Sequence, residues 1–151
     1  MQFNPASQYR QLAVRSQGPV GLIVLLYDSA IQSFHAALRA MEANQIEKCT
    51  AHLNHSLTVI ALLQSSLDFE KGGEVARQLE RFYNVFRGRV LEASIKSSPE
   101  ILQDIIAQFR MMRDAWSEVD AAESRSATAV NGPLPETLAQ PTAAVASHWG
   151  A

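Results

Sequence analysis

The sequence predicts an all-α fold: an antiparallel up-and-down four-helix bundle with a short N-terminal arm and a flexible C-terminal tail. Three observations lead there. Apolar residues recur at helical spacing in four consecutive segments, no segment alternates like a half-buried strand, and the break signals between segments are short. Short links between helices of about 20 residues make sequence neighbours antiparallel.

Helix one, near 19–43, places Ile23, Leu26, Tyr27, Ala30, Phe34, Ala37, Leu38 and Met41 on one stripe. Pro19 suits a first helical position behind Gly18, and Asn44 tolerates the left-handed conformation that ends a helix. Val20, Leu22, Val24 and Leu25 lie off that stripe, so apolar residues circle the helix for two turns. Such a helix is either buried centrally or covers a groove built for something else. Helix two, near 46–68, carries Ile46, Cys49, Leu53, Leu57, Ile60, Leu63 and Leu67, and the Gly72–Gly73 pair is expected to terminate it. Helix three, near 74–96, offers Val75, Leu79, Phe82, Tyr83, Phe86, Val90 and Ala93. Ser97 and Ser98 before Pro99 start helix four, whose stripe runs from Ile101 and Leu102 through Ile105, Ile106, Phe109, Met112 and Trp116 to Val119. The expected organisation is an arm over 1–17, a bundle over 18–120 and a tail over 121–151. The tail is rich in Ala, Ser, Thr and Pro and lacks the apolar mass to offset its ordering entropy.

With 151 residues, 47% of them hydrophobic, the chain can bury a single core. A net charge of −2 excludes the strongly basic surface of a general nucleic-acid binder. The one cysteine, Cys49, excludes an internal disulfide and fits a reducing compartment. The opening MQFNPASQYRQ does not read as a secretory signal, and the apolar run Val20–Tyr27 stops at Asp28, well short of a membrane span. The expectation is a soluble, intracellular, single-domain protein without membrane insertion.

Chemistry is sparse. The chain contains neither a glycine-rich phosphate loop nor the Glu-x-x-His pair of di-iron bundles. Cys49, His52 and His55, spaced three and three, are the nearest approach to a metal cluster. Cys49 lies on the core seam while the histidines drift toward solvent, so no metal, cofactor or catalytic residue is expected. Arg77, Arg81, Arg87 and Arg89 read as a solvated face. A binding protein is the leading class; a homodimerising helical adaptor and a metal-dependent helical enzyme are the alternatives.

Four ordered blocks carry a resemblance. Gly18-Pro19-Val20-Gly21-Leu22-Ile23-Val24-Leu25-Leu26-Tyr27-Asp28 resembles the opening motif of the flagellin export chaperone family FliS. Leu67-Asp68-Phe69-Glu70-Lys71-Gly72-Gly73 is similar to its Leu-Asp-x-Glu-x-Gly-Gly turn, and Leu79-Glu80-Arg81-Phe82-Tyr83-Asn84-Val85-Phe86 to its Leu-x-x-Leu-Tyr-x-Tyr helix. Ala115-Trp116 matches near the end of helix four, and Asn4-Pro5 with Tyr9 fall where many members carry a tyrosine-containing arm. Gly18 and Gly21 replace the usual Ser and Glu or Gln of the first block, and Phe82 and Phe86 replace Leu and Tyr of the third.

The resemblance covers about residues 4–120 and implies a cytoplasmic type III export chaperone. Such a protein binds the disordered C-terminal segment of flagellin in apolar surface grooves, prevents premature polymerisation and delivers flagellin to the cytoplasmic domain of the export gate protein FlhA. The physics is helix-in-groove recognition with folding on binding. The residues it points to are Tyr9, Ile23, Leu26, Tyr27, Phe82, Tyr83 and Phe86. Tyr83 is expected to keep its hydroxyl at a surface.

Overall fold

A computed structural model describes residues 19–129. They form α1 (Pro19–Glu42), α2 (Ile46–Ser65), α3 (Phe69–Lys96) and α4 (Pro99–Ala129), with no strand among the described residues. The expected all-α four-helix bundle is what the chain adopts.

Local chemistry sets the turns. After α1, Asn44 takes φ 56°, its N–H donates to the Met41 carbonyl at 3.1 Å, and the Gln45 N–H donates to Ala40 at 2.8 Å. That is a Schellman motif with asparagine at its left-handed position. The same pair of bonds closes α3: Ser97 takes φ 47°, its N–H reaches Ser94 at 3.3 Å, and Ser98 reaches Ala93 at 3.1 Å. Ser98 then caps α4, its Oγ accepting from the Ile101 N–H at 3.3 Å beside Pro99 at the first helical position.

The break between α2 and α3 falls earlier than the glycine pair suggested. The Ser65 and Ser66 hydroxyls donate to the Leu62 and Leu63 carbonyls at 2.8 and 2.7 Å, satisfying acceptors that a helix end leaves open. Asp68 starts the next helix, accepting from the Glu70 and Lys71 N–H groups at 3.0 Å each. Gly72–Gly73 therefore does not terminate helix two. It kinks α3 after one turn, because Gly73 sits at φ 53°, ψ −126°, where side chains are strained. At the other end of the chain, α4 continues past Val119 to Ala129.

α1 packs against α2 and α4, and α3 packs against the same two, so α1 and α3 face each other across the diagonal of the bundle. This placement accounts for the wide apolar arc of α1. Val20 and Val24, off its main stripe, are buried with the rest, while Leu22 and Leu25 stay half-buried. α1 is long and apolar enough to cross a membrane by length and composition, but 61% of its apolar window is buried inside the bundle. Ile46 departs from the expected seam: it stands 76% exposed at the first residue of α2.

The positive-φ positions carry a testable asymmetry. Ser97→Gly is expected to stabilise the protein by up to about 1 kcal/mol, since glycine meets no Cβ penalty there. Gly73→Ala is expected to destabilise it by about 1–3 kcal/mol. Urea titrations of both variants check the opposed signs.

Candidate interaction surface

The centre of the bundle is an aromatic cluster drawn from three helices. The Phe109 ring lies 5.4 Å from Tyr27, 5.1 Å from Phe34, 5.3 Å from Phe86 and 5.9 Å from Phe82, centroid to centroid. The Tyr27 and Tyr83 hydroxyls share a 2.8 Å hydrogen bond across the diagonal, both side chains being 1% exposed or less. Burial, then the charge of the neighbouring Tyr83, pushes the Tyr27 hydroxyl well above its ordinary range, and the Trp116 side chain acts on the same hydroxyl in the opposite sense, as a hydrogen-bond donor does. Burial likewise raises Tyr83.

This geometry places the residues singled out by the sequence. Ile23, Leu26, Tyr27, Tyr83 and Phe86 all belong to the core and are 7% exposed or less. The expectation of a surface hydroxyl on Tyr83 is thus corrected: the two tyrosines satisfy each other in the interior. Phe82 is half-buried, packed at 4.4 Å on Phe86 with the rings tilted by 39° and edge-on to Tyr83 at 5.6 Å, so it is the described member of the set within reach of a partner on the closed bundle. Tyr9 lies outside the described residues.

No group of three or more His, Cys, Asp or Glu that could hold a metal ion occurs among the described residues. Cys49 is buried and burial raises its thiol pKa, the opposite of what a nucleophile or a thiolate ligand requires. The His55 ring is engaged between helices. Its Nδ1 meets the Ser33 hydroxyl, which lies 3.1 Å from the Ser29 carbonyl, and the pair fastens α2 to α1. Burial, then the charge of His52, lowers the His55 pKa; burial, Arg110 and Arg39 lower that of His35.

Two surface features stand out beyond the core. Between α1 and α4 an open groove of about 370 Å³ is lined by Asp28, Ile31, Arg110, Arg113 and Asp114, and Arg113 Nε holds Asp28 at 2.8 Å across it. The second consists of large apolar side chains left in solvent, with Val85, Leu91 and Ile95 on α3, Ile46 and Phe69 near helix starts, and Met111 on α4. The sequence reading put Ile46 on the core seam and did not single out Val85, Leu91, Ile95 or Met111 as exposed. Their signal was available, since Val85, Leu91 and Ile95 are large apolar residues off the core stripe of their helix.

The family model described as flagellar protein FliS matches residues 2–123. The chain is similar to the flagellar secretion chaperone FliS of Vibrio cholerae, 28% identical over 115 residues, which cover 74% of this chain and 85% of that protein. Its similarity to the flagellar secretion chaperone FliSB of Pseudomonas aeruginosa is also 28%, over 116 residues, covering 74% and 92%. To FliS of Bacillus subtilis it is 24% identical over 122 residues, covering 81% and 90%.

Replacing Tyr83 with Phe removes the Tyr27 hydroxyl's hydrogen-bond partner on α3 and is expected to cost about 1–3 kcal/mol. In a double-mutant cycle, adding Tyr27→Phe should cost less than it does alone, and simple additivity would contradict the coupling. The lowered His55 and His35 values set a pH dependence. An unfolded chain with ordinary histidines binds more protons, so stability is complete above the ordinary value of 6.5 and falls as pH drops through the lower folded values. Thermal midpoints measured between about pH 7.5 and pH 5 should decline, and His55→Gln should flatten the decline.

Proposed function

The chain belongs to the FliS family of flagellar secretion chaperones, and from that premise we propose that it binds the C-terminal segment of flagellin in the cytoplasm. The family match over residues 2–123 carries the reading. A bundle that keeps a closed aromatic core while leaving large apolar side chains in solvent supports it, because such side chains are a liability unless something covers them.

In this reading the client segment, disordered when free, folds into extended and helical pieces against the bundle. Phe82 offers aromatic surface at the α3–α4 edge, and Ile23, Leu26, Tyr27, Tyr83 and Phe86 hold the helices beneath the client in place from the core. Tyr9, on the N-terminal arm, is the remaining member of the proposed partner-binding set. Capped in this way, flagellin does not polymerise early, and the chaperone delivers it to the cytoplasmic domain of the export gate protein FlhA for type III export. No cofactor takes part, and binding is driven by differential burial of apolar surface.

Calorimetric titration with a peptide of about 40 residues from the C-terminus of the same organism's flagellin tests this. One-to-one binding with a large negative heat-capacity change is expected, the signature of apolar burial coupled to folding. Absence of binding at micromolar concentrations, for the full chain and again for the chain lacking residues 1–17, would contradict the proposal.

A further inference from the structure

The groove between α1 and α4 has two electrically different ends. On α1, Asp28, Ile31, His35 and Arg39 follow at steps of three, four and four residues, one helical face about 16 Å long. Arg110, Arg113 and Asp114 of α4 face it. At the first end the charges are satisfied, because Arg113 holds Asp28 at 2.8 Å and Asp114 at 3.4 Å. At the other end they are not. Arg110 approaches the His35 ring at 3.4 Å, and Arg39, one turn further along α1, acts on the same imidazole against its charged form.

Four arginines of the bundle hold carboxylates: Arg77 and Arg81 share Glu74, Arg89 holds Asp104, and Arg113 holds Asp28. Among the described residues neither Arg39 nor Arg110 takes part in an ion pair. Both are exposed, and His35 beside them is half-buried. A guanidinium can only donate, so His35 Nε2 accepts from Arg110 and the ring proton sits on Nδ1. The neutral imidazole thus separates two cations that lack a counter-ion.

That arrangement selects a class of ligand. Guanidinium groups bind carboxylates through paired N–H donors, and here two of them converge on one imidazole. Asp28 and Asp114 at the opposite end repel a flat anionic surface laid over the whole groove, but not an acidic side chain entering at one end. Ile31, between the two ends, gives apolar contact to a chain that carries the carboxylate, which a free inorganic anion cannot use.

We propose that this end of the α1–α4 groove binds an acidic segment of a second protein, its carboxylates bridging Arg110 and Arg39 beside His35. The site is separate from the apolar contacts assigned to the export client and lies on the α1–α4 face, not at the α3–α4 edge of Phe82. Exposed charge pairs are individually weak and screened by salt, so the contact is of modest affinity and sensitive to ionic strength.

The probe is a hexaglutamate peptide blocked at both ends, added to the full chain in low salt at about pH 7.5, where an ordinary histidine is neutral. The His35 ring is followed by NMR and assigned through His35→Gln. Its resonances should move saturably at about 1 mM peptide or below, and matched sodium chloride should not reproduce the movement. Combining Arg39→Gln with Arg110→Gln should weaken peptide binding about tenfold or more and leave the thermal midpoint near its wild-type value. Affinity for the flagellin C-terminal peptide should be the same in that double variant as in the wild type. Absence of a saturable His35 response, or hexaglutamate affinity unchanged in the double variant, overturns the proposal. A stronger response to inorganic phosphate, or to vesicles of phosphatidylcholine and phosphatidylglycerol, also overturns it by assigning the arginines to a phosphate. Weakened flagellin-peptide binding in the double variant overturns it by assigning the groove to the client.

Discussion

The structure depends on how two diagonal helices meet. In a square of four helices the diagonal partners touch only through their longest side chains, and here α1 and α3 do so through Tyr27 and Tyr83. Two buried hydroxyls would each be costly alone; joined at 2.8 Å they satisfy one another, and only one register of α1 against α3 allows it. Phe109 fills the space beside the pair from α4, in contact with Tyr27, Phe34, Phe82 and Phe86. Trp116 acts on the Tyr27 hydroxyl from the next turns of α4. An oily core fixes composition more strongly than geometry, whereas a hydrogen-bonded pair at its centre fixes the relative position of three helices.

That rigidity matters for a flagellar export chaperone. Surface grooves and ridges have a defined shape only if the helices beneath them do not slide. The core of this chain is closed, and its apolar excess is displayed separately, on the outward half of α3, at the start of α2 and on α4. Charged neighbours limit the liability of that display. The Glu74–Arg77–Arg81 group, Arg89 with Asp104, and Lys96 with Glu92 place solvated ion pairs around the exposed apolar residues of α3. As surface pairs they add little stability; their effect is to interrupt what would otherwise be one large apolar face.

The fold was legible because its determinants are local. Pro19, Asn44 and the Ser98–Pro99 start each carry their own conformational signal, and the 3.6-residue period marked every core stripe. What was misread had competing local chemistry. Gly72–Gly73 looked like the stronger break, yet two serine hydroxyls and the Asp68 cap end one helix and begin the next before the chain reaches it. Periodicity also reports a face and not a depth. It could not separate Phe82, at the edge of the cluster, from Tyr83 one residue later at its centre, and it assigned Ile46 to a seam that has no neighbour at that level. The exposed Val85, Leu91 and Ile95 of α3 were passed over for the converse reason: stripe counting ranks the residues that face the core and leaves those opposite unexamined.

Under the proposed function, a client held on the outside of the bundle would leave the aromatic core shut. Hydrogen–deuterium exchange of the full chain with and without the flagellin C-terminal peptide tests this directly. Amides around Tyr27, Tyr83 and Phe109 should keep their slow exchange in both states, with new protection confined to the peptide and to surface turns of the bundle. Faster exchange through the middle of α1 and α3 on binding would contradict it, because the client would then be entering the core by separating the two tyrosines.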